Sequence, residues 1–235
     1  MRLRSLALPG LLLVAGAAQA APDPFDYQLA NIMILQNRKV QAELGITQAQ
    51  RNRMNAYAKV QREAAAKVTA EAQKAGQKGY NEAQQKRIAG TFLTLRAGVL
   101  NLLNAAQLRR LRELTIRSAG TAALLDPTVG KRLKVTPAQR TAMAKAFGAG
   151  QKQAGTVQKG AFEPVMKKYQ GKKPKSQAEA KTLQGQYDAE MKAAAKGIAG
   201  RMQSIERATA TKMLAALSPG QRSQFESLKG KPLKA

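Results

Sequence analysis

Four helix starts of one kind recur along this 235-residue chain. Each has a small polar residue followed three positions later by Gln, with an apolar residue directly before it and a large apolar residue seven positions after it. The polar residues and their Gln partners are Thr47 and Gln50, Asn104 and Gln107, Thr136 and Gln139, and Ser218 and Gln221. Such a pair forms a capping box, in which the polar oxygen accepts an N–H of the first turn while Gln reaches back to the amide of the cap residue. The pattern therefore predicts four helix N-termini.

The first half of the chain carries two apolar stripes at helical spacing between its two capping motifs. The stripe on the first arm is shallow and consists of Met54, Tyr57, Ala58, Ala65, Val68 and Ala72. The stripe on the second arm follows alternating steps of four and three residues and consists of Ile88, Phe92, Leu95, Val99 and Leu102. This spacing is typical of a packed helix seam, and the Gly-rich segment 76–79 predicts a turn between the arms. We expect the two arms to form a helical hairpin with the stripes as its core.

The second half repeats this pattern with longer arms. Its stripes consist of Met143, Phe147, Ala154, Val157 and Ala161 on one arm and of Leu183, Tyr187, Met191, Ala194, Ile198, Met202, Ile205 and Met213 on the other. Segment 171–175 predicts the turn, and Pro164 predicts a kink near 160–164. The sequence shows no alternating strand pattern and no Asn-Gly or Asp-Gly hairpin signal. The predicted fold class is therefore all-α, with two related long helical hairpins and short flanking helices.

The two halves are unequal copies. Thr47 and Asn104 are 57 positions apart, whereas Thr136 and Ser218 are 82 positions apart, so the second hairpin is longer. A single short opening helix is expected in the first half from the apolar residues Phe25, Leu29, Ile32, Met33, Leu35 and Val40. Its counterpart around 124–129 is poorer in apolar residues. We predict a signal peptide over 1–20, a first helical-hairpin repeat over 21–120 and a second, longer repeat over 121–235.

The N-terminal segment has the pattern of a secretory signal. Arg2 and Arg4 precede an apolar stretch, and the Ala-Gln-Ala sequence at 18–20 is typical of a cleavage site. We expect cleavage after Ala20 and export to the periplasm or the extracellular space. The alternative of a retained membrane anchor is less favoured because the apolar stretch is too short to span a bilayer, and no transmembrane segment is expected after it.

The amino-acid composition of the chain excludes most kinds of catalytic chemistry. The chain has no His, no Cys and no Trp, so neither an imidazole nor a thiolate is present to bind zinc or to act in catalysis. The carboxylates that lie on the predicted helices have no partner at a convincing spacing; they are Glu63, Glu71, Glu179 and Glu190. No Gly-rich loop has the strand and helix around it that a phosphate site needs. We therefore expect no catalytic residues, no metal, no cofactor and no enzyme activity.

The charge of the chain points to acidic partners. It has 40 Lys and Arg residues against 14 Asp and Glu residues, a formal net charge of +26. The residues that we predict to form a basic client-binding surface are Arg51, Arg53, Lys59, Arg62, Lys67, Arg109, Arg110, Lys167, Lys168, Lys172 and Lys173. The alternative for any single Lys is a solvated position that keeps an Ala-rich protein soluble. For the whole set, a surplus of one sign favours an attractive partner.

The capping motifs carry a resemblance to a known family. Leu44-Gly-Ile-Thr-Gln-Ala-Gln50, Leu133-Lys-Val-Thr-Pro-Ala-Gln139 and Leu217-Ser-Pro-Gly-Gln221 resemble the Leu-Thr-x-x-Gln motifs of the Spy/CpxP family of periplasmic proteins. Asn104 and Ser218 replace Thr but keep the capping chemistry. The resemblance implies a thin, basic, cradle-shaped fold built from a short helix and a long hairpin, here in tandem duplication. Because the family's cradle is dimeric, we expect this chain to be a monomeric pseudo-dimer.

The same resemblance implies one of two functions known in the family, ATP-independent chaperoning or regulation of a stress pathway. The zinc-binding relatives depend on His-rich segments, which this chain lacks. We therefore expect an exported binding protein that holds unfolded or acidic protein clients on a basic helical surface. The alternative is a structural or regulatory envelope protein that binds a polyanion such as lipopolysaccharide, teichoic acid or nucleic acid. A chaperone needs apolar side chains exposed beside its charges, whereas a polyanion binder does not.

Overall fold

The computed structural model describes residues 23–233, so the predicted signal peptide lies outside the described residues. Every regular element within this range is helical, which confirms the all-α class for the described part of the chain. None of the helices in that range is long and apolar enough to cross a membrane. The described part of the chain divides into two compact units, 23–111 and 112–233.

The first unit begins with short helices and continues into a long hairpin. Its elements are α1 (Pro24–Leu29), a 3-10 helix (Ile32–Gln36), α2 (Arg38–Glu43), α3 (Gln48–Lys74), α4 (Glu82–Leu100) and the first part of α5 (Ala105–Ala119). Helices α3 and α4 pack against each other, and the segment between them contains the predicted 76–79 turn. Asn81 caps α4 by accepting a hydrogen bond from the amide of Gln84, which gives a fifth capping box in addition to the four predicted motifs.

The single opening helix expected before Thr47 is wrong, because three short elements occupy this segment. Asp23 accepts a hydrogen bond from the amide of Phe25, Asn31 from that of Met33, and Asn37 from the amide two residues after it. Side chains of Asp and Asn compete with the helix for backbone amides and start a new turn at each position. Each of the three pieces therefore begins at its own cap and buries apolar side chains of its own.

The second unit has the same order of elements with longer arms. After the end of α5 come a 3-10 helix (Gly120–Leu125), α6 (Pro127–Arg132), α7 (Pro137–Tyr169), α8 (Gln177–Ala215) and α9 (Pro219–Leu228). Helix α7 continues through the 160–164 segment in which a kink was expected, with Pro164 inside it. Although its opening segment is poorer in apolar residues, Leu124 and Val129 are buried there.

Each unit has its core at the base of its hairpin, where the short helices meet the ends of the long ones. In the first unit the most deeply buried side chains there include Leu100, Leu108 and Leu111. In the second unit they include Val129, Leu133, Met143, Met213 and Phe225. Farther along the arms, Val68 and Ala72 are the buried residues of α3. Small residues bury little apolar area, so the arms are thin and most of their surface faces solvent.

Candidate functional site

The four capping motifs all form reciprocal hydrogen bonds. In the first, the amide of Gln50 donates to Thr47 Oγ1 over 3.2 Å and the amide of Thr47 donates to Gln50 Oε1 over 3.0 Å. The same pair of bonds joins Asn104 with Gln107, Thr136 with Gln139, and Ser218 with Gln221. These eight residues therefore have a role in starting helices, and their polar groups are used within the fold.

The capping glutamines also bond to one another across the base of each hairpin. In the first unit Gln50 Nε2 donates to Gln107 Oε1 over 2.9 Å, and Gln107 Nε2 donates to the carbonyl oxygen of Leu44 over 3.1 Å. Leu44 precedes Gly45, whose φ of 60° ends α2 in the left-handed conformation. The Gln pair thus ties together α2, α3 and α5, the elements that support the hairpin.

The second unit repeats this network. Gln139 Nε2 donates to Gln221 Oε1 over 2.8 Å, and Gln221 Nε2 donates to the carbonyl oxygen of Leu133 over 3.1 Å. Lys134 takes the left-handed position at a φ of 52°. Sequence reasoning gave Gln only its local capping role and missed this pairing. The available signal was that each half has two Gln-containing motifs, one at each end of its hairpin.

The exposed face of α3 combines apolar and basic side chains. Arg53, Tyr57, Val60, Ala64 and Lys67 follow steps of four and three residues, which places them on one face of the helix. Tyr57 is 39% exposed and Val60 is 64% exposed, and the two basic residues are exposed as well. This face therefore presents apolar surface between positive charges, the combination that a client-binding surface requires.

Helix α4 exposes further apolar surface. Leu93 is 63% exposed, and Phe92, expected in the seam between the arms, is 37% exposed. At Gly98 the backbone of α4 lies against α3, since a Cβ added at this glycine would come within 2.6 Å of the Tyr57 ring. Tyr57 therefore packs part of its ring against the backbone of α4 and keeps 39% of its surface exposed, while Phe92, six residues before Gly98, remains partly in solvent.

The predicted basic residues of α3 differ in whether their side chains bond within the protein or face solvent. Arg53, Arg62 and Lys67 are exposed, and Lys59 is exposed with its Nζ 3.9 Å from Glu63. Arg51 is half-buried and donates to the carbonyl oxygen of Ile46 over 2.6 Å and to Gln48 Oε1 over 2.8 Å. Arg51 therefore supports the start of α3, while the other four face solvent.

The basic cluster on α5 is divided in the same way. Arg109 is exposed. Arg110 donates to Glu43 over 2.9 Å, and the two side chains are 16% and 11% exposed. Arg112, also near this helix start, is 8% exposed and donates to the carbonyl oxygen of Leu228 over 2.7 Å. Of the two α5 residues predicted for client binding, Arg109 is thus available to a partner and Arg110 is engaged within its unit.

The end of the second hairpin has aromatic rings surrounded by lysines. Tyr169 and Tyr187 meet edge to face with their ring centroids 5.4 Å apart. Glu190 accepts hydrogen bonds from Lys168 Nζ over 2.5 Å and from the Tyr169 hydroxyl over 2.8 Å. Lys172 Nζ lies 4.7 Å from the centroid of the Tyr169 ring, close enough for a cation–π contact.

These contacts shift the ionisation of the groups that make them. The hydrogen bond from Lys168, with a second from Tyr169, lowers the pKa of Glu190. Glu190 in turn raises the pKa of Lys168 through the same hydrogen bond. Partial burial, followed by the hydrogen bond to Glu190, raises the pKa of Tyr169. At neutral pH the cluster therefore holds a charged Lys–Glu pair and a neutral phenol.

A shallow groove of about 560 Å³ opens beside this cluster. It is lined by Glu163, Met166, Lys167, Tyr169, Gln170 and Tyr187. Met166 is 48% exposed, and Lys167 Nζ lies 2.8 Å from Glu163. The lining offers aromatic and thioether surface with charged groups at its edge, which suits weak binding of an apolar side chain.

The described residues contain no group of three acidic side chains able to hold a metal ion. What they contain is exposed apolar and basic surface on two helical hairpins. Comparisons of the sequence with protein-family models and with curated proteins, and of the fold with solved structures, find no match.

Proposed function

We propose that this protein is an exported, ATP-independent chaperone-like or stress-related binding protein that holds unfolded or acidic protein clients. The observation that carries the proposal is the face of α3, where Tyr57 and Val60 are exposed between Arg53 and Lys67. Apolar surface of this kind is costly to leave in water unless a partner covers it. The resemblance of the capping motifs to the Spy/CpxP family supports the same proposal.

Binding would occur in two stages. The full chain has a net charge of +26, which becomes 26 − 2 = +24 without Arg2 and Arg4; this charge attracts acidic segments of a client over a long range and raises the rate of encounter. Side chains such as Tyr57, Val60 and Leu93 then make weak apolar contacts that require no particular client sequence. Release needs no nucleotide because each contact is individually weak. In this proposal the mature chain acts as a monomer that contains both hairpins.

A second candidate function is supported by the second hairpin. Among the described residues of α7 and α8, the exposed large apolar side chain is Met166, whereas basic residues are spaced along both helices. Spaced positive charge with buried apolar residues favours a polyanion as partner. The alternative is therefore a structural or regulatory envelope protein that binds lipopolysaccharide, teichoic acid or nucleic acid.

Suppression of client aggregation tests the proposal directly. A chemically denatured client is diluted into buffer that contains the mature protein, starting at residue 21, without ATP, and light scattering is followed over a series of salt concentrations. We expect suppression that weakens as salt increases, because screening shortens the reach of the charge.

The double variant Val60→Ser/Leu93→Ser separates the two functions. It removes the two most exposed large apolar side chains of the described residues, 64% and 63% exposed, and leaves the charge unchanged. For a chaperone, we expect suppression to require about fivefold more protein, while binding to heparin stays unchanged. A wild-type protein that binds heparin but does not suppress aggregation would instead support the polyanion function.

A further inference from the structure

The end of the second hairpin has a preorganised apolar floor. Met166 and the edge-to-face pair of Tyr169 and Tyr187 line the groove. The Tyr169 hydroxyl donates to Glu190, and Lys168 donates to the same carboxylate oxygen, so the ring is held from both arms of the hairpin. A floor that is already fixed in place loses little conformational freedom when a ligand binds.

The rim of this groove carries positive charge that the fold does not neutralise. Lys167 and Lys168 pair with Glu163 and Glu190. The loop that follows α7 adds Lys172, Lys173 and Lys175, whose ammonium groups form no ion pair with any of the described acidic residues. The backbone amide of Lys175 donates to Glu179 over 2.6 Å, which anchors this loop to the start of α8. The anchored loop that follows the groove-lining end of α7 thus carries three lysines, and Lys172 Nζ lies 4.7 Å from the centroid of the Tyr169 ring in the groove.

We propose that this tip, defined by Met166, Tyr169, Tyr187 and the three loop lysines, is a docking site for an acidic peptide segment with one aromatic or long apolar side chain. That side chain would occupy the groove, and flanking Asp or Glu carboxylates would pair with Lys172, Lys173 and Lys175. Charge complementarity selects the carboxylates, and the Tyr and Met floor selects the apolar anchor. The inference rests on the proposed client-binding function and gives it a preferred client sequence.

A purely charged polymer fits this site less well. Phosphate or sulfate groups would use the lysines and leave the groove empty, whereas an anchored acidic segment uses both. The two kinds of ligand therefore predict different effects of a substitution in the floor. Anionic lipid vesicles and single-stranded DNA are therefore the competing ligands to compare with the peptide.

The first test compares lysines at the tip with lysines elsewhere on the same hairpin. The probe is a fluorescein-labelled Gly/Ser peptide containing Glu-Glu-Phe-Glu-Glu, and its binding to the mature full-length protein is measured by fluorescence anisotropy. Substitution of Lys172, Lys173 and Lys175 by Gln should weaken binding about tenfold, since each exposed ion pair contributes modestly. The control replaces Lys192, Lys196 and Lys212, which are exposed on α8, by Gln and removes the same charge.

We expect the control to weaken binding less than twofold. Equal losses in the two triple variants would overturn the proposal, because the peptide would then respond to net charge and not to the tip.

The second test concerns the groove. Met166→Ser should weaken binding of the Phe peptide about fivefold and should not change binding of the same peptide with Ser in place of Phe. Met33→Ser, which removes a Met side chain of matching exposure (47%) from the opening segment of the first unit, is the matched control and should leave both affinities unchanged.

An unchanged affinity for the Phe peptide in the Met166 variant would overturn the groove as the anchor site. Binding of phosphatidylglycerol vesicles or single-stranded DNA at the tip more tightly than the Phe peptide would overturn the choice of partner.

The aggregation assay distinguishes the proposed docking site at the tip from the proposed chaperone function. If the wild-type protein suppresses aggregation but the lysine variant of the tip binds the peptide normally, the tip inference fails and the chaperone function stands. If the wild-type protein does not suppress aggregation but binds the Phe peptide at the tip, the chaperone function fails and the tip remains a docking site.

Discussion

The Gln107 side chain both caps the start of α5 and bonds to the end of α2. Its Oε1 accepts the amide of Asn104 over 3.0 Å, and its Nε2 donates to the carbonyl oxygen of Leu44 over 3.1 Å. It also exchanges hydrogen bonds with Gln50, and only 8% of the residue is exposed. A buried amide in such a network is costly to replace because its partners lose their hydrogen bonds without regaining water.

The substitution Gln107→Leu should therefore destabilise the protein by about 2 kcal/mol, even though Leu has a similar volume. Gln73→Leu, at an exposed position of α3, is the matched control and should change stability by no more than about 0.5 kcal/mol. Urea unfolding followed by circular dichroism measures both changes. Equal stability of the two variants would show that the Gln network contributes nothing.

The substitution Thr136→Ala tests whether the capping motif stabilises the fold or contacts the client. Thr136→Ala removes the oxygen that accepts the amide of Gln139 and should cost about 1 kcal/mol, the usual loss for an N-cap oxygen. Client binding should fall only as far as the folded fraction falls. A variant with full thermal stability but without client binding would show that the motif contacts clients.

These residues also show what a sequence can reveal about polar groups. The local bonds between Thr136 and Gln139 follow from a spacing of three residues, which is visible in the sequence. The bond between Gln139 and Gln221 joins residues 82 positions apart. It depends on how the two ends of the hairpin meet in space, and no local pattern encodes that distance.

Helices α7 and α8 approach closely at one glycine and not at another. At Gly150 an added Cβ would collide with Thr209 Oγ1 and lie 3.1 Å from Thr209 Cβ, whereas at Gly155 no atom lies within 4 Å. Gly155→Ala should stabilise the protein by about 0.5–1 kcal/mol, because Ala is the better helix former.

Gly150→Ala should instead destabilise the protein by about 1–3 kcal/mol, since the two arms must separate to admit the methyl group. Thermal unfolding of both variants checks the pair. Stabilisation by both substitutions would mean that α7 and α8 are not in close contact at Gly150.

The ion pair at the end of α7 and α8 gives the second hairpin a dependence on pH. Lys168 and Tyr169 lower the folded-state pKa of Glu190 below its ordinary value of 4.5. A lowered pKa stabilises the folded state above the ordinary value, and this contribution is lost as the pH falls through the folded-state pKa. Glu190→Gln should therefore reduce the difference in melting temperature between pH 6 and pH 3. A difference as large as that of the wild-type protein would show that the ion pair does not contribute to the pH dependence.

The elements of the hairpins were predictable to different degrees. The stripes from Met143 and from Leu183 predicted two long arms, and α7 and α8 occupy these segments. Phe92 was placed in the seam by its spacing, but it is 37% exposed, whereas the backbone at Gly98 on the same helix lies against the ring of Tyr57. Periodicity identifies the face of a helix that carries apolar residues. It does not reveal which residues of that face the partner helix covers.

At the scale of the molecule, charge acts on both folding and binding. A net charge of +26 on a chain with thin, solvent-exposed arms produces repulsion throughout the folded state. Salt screens this repulsion, and it also screens the attraction between the protein and an acidic client. Stability and client affinity are therefore expected to respond to sodium chloride in opposite directions.

Between 20 and 300 mM sodium chloride, we expect the melting temperature to rise by roughly 3 °C for each kcal/mol of repulsion removed, while affinity for the acidic peptide falls. The variant in which Lys172, Lys173 and Lys175 are replaced by Gln carries three fewer charges, so its melting temperature should rise less over the same range. Differential scanning calorimetry and anisotropy at matched salt concentrations measure the two responses.

A melting temperature that fell with salt would mean that attractive ion pairs such as that of Arg110 with Glu43 outweigh the repulsion. An affinity that did not change with salt would mean that apolar contacts, and not charge, hold the client.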